Sequence, residues 1–205
     1  MIKPNNLIVK LIGINFFVNA GWGLIAPIFA IYVTEQVQGG SIEMVGFAVG
    51  VHWIVKSAIQ PFVAYKMDVV KGEYDDIAFL MWGMVIFSFI ALLYVFVTDM
   101  WQVFILETIR GMALALVFPA WSGIFTRHID REWEAYTWSL TSTGMGFAVG
   151  FAASFGGIIA SLIGFNMVFV FVSLMGIIST ILIYIVKKDP WIYRAGKEES
   201  AIKES

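Results

Sequence analysis

The chain has 205 residues, 60% of them hydrophobic and 14% charged, with a mean hydropathy of +0.83. That apolar share exceeds the roughly 45–50% of a soluble globular domain and assigns the chain to a lipid bilayer. A net charge of −2 gives no electrostatic footprint for nucleic acid, and the lack of cysteine excludes disulfides, thiolate metal sites and a cysteine nucleophile.

About 20 apolar residues cross the hydrocarbon core, so the sequence predicts six spans at about 7–35, 42–65, 77–97, 101–125, 133–160 and 165–186. The first is far longer than a secretory signal core and is expected to be retained. Gly39-Gly40-Ser41, Asp68 to Asp76, Thr98-Asp99, Arg127 to Glu132 and Gly164 punctuate the series. The membrane domain is expected over 1–188, with a polar tail over 189–205. Lys3, Lys10, Lys66, Lys71, Arg127, Arg131, Lys187, Lys188, Arg194, Lys197 and Lys203 all fall on one side, and the loops 34–43, 98–101 and 161–164 carry no lysine or arginine. By the positive-inside rule both termini are expected to be cytoplasmic, in a cell (plasma or inner) membrane.

Two ordered matches suggest an internal repeat. Leu24-Ile25-Ala26-Pro27 with Thr34 aligns with Leu116-Val117-Phe118-Pro119 with Thr126, and Gly46-Phe47-Ala48-Val49-Gly50 recurs as Gly146-Phe147-Ala148-Val149-Gly150. Three spans per copy is an odd number, so the second copy is inverted relative to the first, as in secondary transporters.

Several of these residues together carry a family resemblance. They are Pro27 late in the first span, Ala64-x-x-x-Asp68 with Lys71-Gly72, Arg110, Pro119-Ala120, and a glycine-rich fifth span ending in Gly156-Gly157. The sequence over about 7–188 resembles one six-helix half of the major facilitator superfamily. In that family a Gly-x-x-x-Asp-Arg-x-Gly-Arg-Arg signature joins the second and third helices. Here the Gly is Ala64, the Arg is Val69 and the later basic pair is Glu73-Tyr74. The antiporter signature of the fifth helix is likewise replaced, by Ala152 and Ala153. The resemblance implies a secondary transporter. The family has twelve helices in two halves, so the expectation is either one half of a longer protein or a half-length member that self-associates into a twelve-helix homodimer. The opening Met1 and the polar tail favour the latter.

Charged and polar groups inside spans are costly and face an interior or a water-filled path. The first span carries Asn15 and Asn19, the second His52, Lys56 and Gln60, the fourth Glu107 and Arg110, and the fifth Ser139, Thr141, Ser142 and Thr143. No charge falls in the third or sixth span, which agrees with the family's bracing role for those helices. Spacings of three and four residues gather each set into a stripe. Measured at about 1.5 Å per residue from the outer ends, His52 and Arg110 lie at about 14–15 Å and Lys56 and Asn19 at about 21–23 Å, close enough to meet near the midplane.

The expected substrate contacts are Asn15, Asn19, Lys56 and Arg110, with Trp22 and Trp53 as cavity aromatics and Glu107 or His52 as the proton-coupling group. Apart from acids at the span ends, Lys56 has no acid within its own or four other spans, so a substrate anion, water or Glu107 must meet it. Glu107 and Arg110 are three apart and can instead pair with each other. Asp68, Lys71, Gly72, Pro27 and Pro119 are candidate gating or motif positions. Gly46, Gly50, Gly146, Gly150, Gly156 and Gly157 are candidate dimer-packing positions, because small residues let helices approach closely.

The positive lean of the stripes predicts a small anionic or zwitterionic solute. No cofactor or metal is expected, and the partners are lipid, the solute and a second copy. Catalysis is not expected: Ser122-Gly123 lacks an intramembrane histidine at the right depth, and no metalloprotease motif is present. A non-transporting membrane subunit is the alternative, and it gains if the three intramembrane charges pair within the chain.

Overall fold

A computed structural model describes residues 5–69, 72–130, 132–189 and 192. The described chain is helical: α1 (Asn6–Ile25), α2 (Phe29–Gln36), α3 (Ile42–Val69), α4 (Glu73–Leu93) with a 3₁₀ turn at Tyr94–Phe96, α5 (Met100–His128), α6 (Glu134–Ile163) and α7 (Phe165–Lys187). Six of these helices, α1, α3, α4 with its 3₁₀ turn, α5, α6 and α7, are long and apolar enough to cross a membrane.

The first expected span is not one helix. Pro27 has no N–H and its ring crowds the carbonyl four residues earlier, so α1 stops at Ile25 and the chain restarts as α2, with Ile28 N–H donating to Ile25 C=O at 3.0 Å. Pro61 and Pro119 sit inside α3 and α5 without ending them. Two further boundaries differ from the hydropathy reading. Lys66 lies in the last turn of α3, not in a connection, and α4 begins at Glu73, so its first turn holds Glu73, Asp75 and Asp76. Carboxylates there complement the helix dipole, an advantage that apolar counting does not register.

In lipid, helices gain little from hiding apolar surface, and close packing must hold them together. The contacts run in an open series: α3 on α5, α5 on α4, α4 on α7, α7 on α1 and α1 on α6. Glycines bring these helices together. A Cβ on Gly83 would sit 2.8 Å from the Ala113 carbonyl oxygen, and one on Gly111 would sit 2.7 Å from that of His52. A Cβ on Gly156 would collide with the Leu24 carbonyl. At the end opposite the termini, Gln38 N–H donates to Thr98 C=O at 2.8 Å and Met100 N–H to Gln38 C=O at 3.1 Å, joining the α2–α3 and α4–α5 connections. At the other end Lys10 and Asp189 form a 2.6 Å ion pair.

The main packing pairs are unchanged when α1, α3 and α4 are exchanged with α5, α6 and α7. This pattern fits two inverted copies. The α6–α7 contact departs from it, and the cause is a one-residue connection at Gly164, whose φ of +90° favours glycine.

The series ends in α3 and α6, which are its least enclosed members. Only 11% and 17% of their membrane windows are buried, against 39–50% for the other four spans. Gly46, Gly50, Gly146, Gly150 and Gly157 lie on these two helices, and a Cβ on any of them would meet nothing within 4 Å. Gly156 does not belong with them, since it is consumed by the contact with α1 inside the same chain. Gly156→Ala is therefore expected to destabilise the fold by about 1–3 kcal/mol through overpacking. Gly157→Ala is expected to be neutral or stabilising by up to about 1 kcal/mol. Thermal unfolding of both variants in lipid nanodiscs checks this, and equal effects at the two positions would contradict it.

Candidate functional site

A cavity of about 310 Å³ lies between α1, α3, α5 and α6, at the small end of the roughly 300–1,000 Å³ typical of ligand pockets. Each long wall is one helix face at steps of three and four residues: Ile14, Asn15, Val18 and Asn19 from α1; Leu114, Val117, Phe118 and Trp121 from α5; Trp138, Thr141, Ser142 and Met145 from α6. Lys56 is the contribution of α3. The Trp121 indole N–H donates to Leu11 C=O at 2.9 Å, and Trp121, Phe125 and Trp138 pack ring on ring, forming an aromatic floor toward the end that carries the termini.

Asn19 donates through Nδ2 to both the backbone and side-chain oxygens of Asn15, at 2.7 and 2.8 Å. The Asn19 amide nitrogen is thereby used within the pair. The Thr141 hydroxyl is buried with no hydrogen-bond partner among the described residues. Lys56 Nζ lies over the Trp53 and Phe118 rings at 4.7 and 4.9 Å, an arrangement that suits a cation. Among the described residues Lys56 makes no ion pair.

A second constellation, between α3 and α5, lies outside the residues that line the cavity. Glu107 is fully buried, accepting from Tyr94 O–H at 2.6 Å and from Arg110 at 2.5 Å, with His52 Nδ1 3.8 Å away. Tyr32 O–H donates to the Tyr94 carbonyl at 2.8 Å, and the Arg110 guanidinium lies 3.7 Å from the centre of the Trp22 ring. Arg110 and Trp22 border a cavity of only about 20 Å³, roughly one water molecule, and do not line the large one. The expectation that they face the solute cavity is corrected here: Arg110 has its counterion three residues earlier on its own helix, and its flat cation covers an indole. Lys56 does not meet Glu107 either. Trp53 is exposed and reaches the cavity only through its contact with Lys56.

A third group lies at the end that carries the termini. Arg127 binds Asp76 and, at 3.3 Å, Glu73, and His128 Nδ1 stands 3.5 Å from Glu73. Exposed Asp68 borders a cavity of about 380 Å³ with Asp76, Pro119 and Arg127. Gly72 immediately precedes α4, Pro27 marks the α1–α2 break, and Lys71 lies outside the described residues.

Sequence reasoning does not single out Tyr32 and Tyr94, whose role depends on which helices touch, nor Trp121 and Trp138. The spacing of Trp138, Thr141, Ser142 and Met145 was the available signal, since it places a ring, two hydroxyls and a thioether on one face.

The sequence is similar to known proteins. A relative in Methanocaldococcus jannaschii, an uncharacterized MFS-type transporter, is 24% identical over 183 residues, covering 89% of this chain and 46% of its own length. The chain thus spans about half of that relative. The family profile described as Major Facilitator Superfamily matches residues 11–204. With nearly the whole chain matched and six membrane-capable helices, four of which border one cavity, the protein belongs to the major facilitator superfamily.

Proposed function

We propose that this protein is a six-helix half of a secondary transporter that moves a small anionic or zwitterionic solute by alternating access. The observation that carries the reading is the cavity between α1, α3, α5 and α6, with Lys56 in its wall and no acid to neutralise it. An intramembrane ammonium is costly unless water or a counterion meets it. A solute anion fills that role. The Glu107–Arg110 pair, being internal, is the feature that would suit a non-transporting subunit, but Lys56 has no such explanation.

The second half is supplied by another copy. The uncovered faces of α3 and α6 expose Phe47, Trp53, Phe62, Phe147, Phe151 and Phe155 around the open glycines. Apposing two copies about an axis along the membrane normal encloses the cavity and gives the twelve-helix arrangement of the family. Both termini are cytoplasmic in this reading, because the lysines and arginines crowd that side.

Coupling to protons runs through Glu107 or His52, the titratable pair buried between α3 and α5. Protonating Glu107 weakens its hold on Arg110, and Tyr94 connects it to Tyr32 on α2, the segment beyond the Pro27 break. The carboxylate thus reaches the part of the first span that is free to hinge.

Two outcomes are expected in proteoliposomes offered a panel of radiolabelled carboxylates and amino acids. At least one member is taken up, and Lys56→Ala lowers its uptake by about 10–100-fold, the worth of one charge-assisted hydrogen bond. Uptake at the unmodified rate in that variant would contradict the anionic reading. Either Glu107→Gln or His52→Gln is expected to abolish accumulation driven by a pH gradient while preserving solute exchange. Gradient-driven accumulation intact in both variants would contradict proton coupling.

A further inference from the structure

We infer that the solute is an organic carboxylate with an apolar body, in preference to a zwitterion, an amine or an inorganic anion; the inference rests on the transporter reading of the same cavity. Its basis is the asymmetry of the wall. Lys56 is the one charged residue that lines it. An amino-acid-like solute brings an ammonium that needs a carboxylate partner, and none faces the cavity. Glu107 is the acid in the interior of the helices around it, since Glu43, Asp68 and Glu134 lie in end turns. Glu107 is fully buried, its oxygens are held by Tyr94 and Arg110, and it does not border the space.

The neutral polar groups extend the argument. Thr141, which lines the cavity from α6, has a hydroxyl with no hydrogen-bond partner among the described residues, a neutral donor in addition to the lysine on α3. The Asn15–Asn19 pair spends the Asn19 amide nitrogen within itself, and its remaining groups are neutral and carry no counter-charge for an ammonium.

Phosphate and sulfate fit poorly. They call for several donors or a forked guanidinium, and the guanidinium available, Arg110, is turned away onto Trp22 and Glu107. The remainder of the wall, including Trp121, Trp138, Phe118 and Met145, offers aromatic and apolar surface, which an inorganic ion cannot use and a hydrocarbon or aromatic body can.

The test uses the full chain in lipid nanodiscs and a matched series that shares one aromatic body: 3-phenylpropionate, phenylalanine and phenethylamine, with inorganic phosphate as a fourth probe. Tryptophan fluorescence and calorimetry read the binding. The expected order is 3-phenylpropionate bound, phenylalanine at least about tenfold weaker, and phenethylamine and phosphate unbound. Lys56→Met is expected to weaken 3-phenylpropionate binding by about tenfold or more and Lys56→Arg to retain most of it, with unchanged melting temperatures in both. Thr141→Val gives a smaller loss.

The inference is overturned if phenylalanine, phenethylamine or phosphate binds as tightly as 3-phenylpropionate. It is also overturned if Lys56→Met leaves the carboxylate's binding unchanged, or if no member of the series binds. The two readings fail separately. A carboxylate that binds without entering proteoliposomes overturns transport and leaves the ligand class, whereas uptake of phenethylamine leaves transport and overturns the ligand class.

Discussion

Glu107 is where four segments of the chain meet. Its carboxylate lies on α5, receives the hydroxyl of Tyr94 from the end of α4, binds Arg110 of its own helix and stands beside His52 of α3. Tyr94 in turn accepts from Tyr32 of α2. A charge in this environment is tolerated only with its partners in place, and breaking such a pair costs about 3–5 kcal/mol. The polar cluster therefore fixes the register of α3 against α5 in a membrane, where apolar surface has no preference for helix over lipid. The glycine contacts at Gly83, Gly111 and Gly156 then set how closely the helices approach.

The same pairing rule separates the two polar regions. Arg110 and Glu107 satisfy each other and withdraw from the cavity. Lys56 lies one helical turn from His52 on the same face of α3 and borders the cavity, without an acid. This division gives the cavity a cation and the buried cluster an acid, and α3 touches both through Lys56 and His52.

The spans were legible because the bilayer imposes a length that composition alone reveals, and the packing pairs fit the inverted arrangement that an odd number of spans per copy implies. Lys56, Asn15 and Asn19 were readable as cavity-facing because nothing on their own helices could satisfy the lysine. The Pro27 break was not, since Pro61 and Pro119 occur in similar apolar runs and leave their helices continuous. Arg110 was misplaced because matching it to a family position outweighed the acid three residues before it. Gly156 and Gly157 are adjacent in a run of small residues, and only the path of α1 decides which of them is covered. The ion cluster of Arg127 with Glu73 and Asp76 joins residues about fifty positions apart, and no local periodicity encodes it.

The central claim is that the cavity is half of a larger site, closed when a second six-helix unit covers α3 and α6. The most direct measurement is the mass of the chain released from lipid nanodiscs by native mass spectrometry. The account requires a species at twice the 22.9 kDa of the chain, weakened by bulky substitutions at Gly50 or Gly150, which touch nothing within one copy. A species that remains at 22.9 kDa at every protein-to-lipid ratio would contradict it.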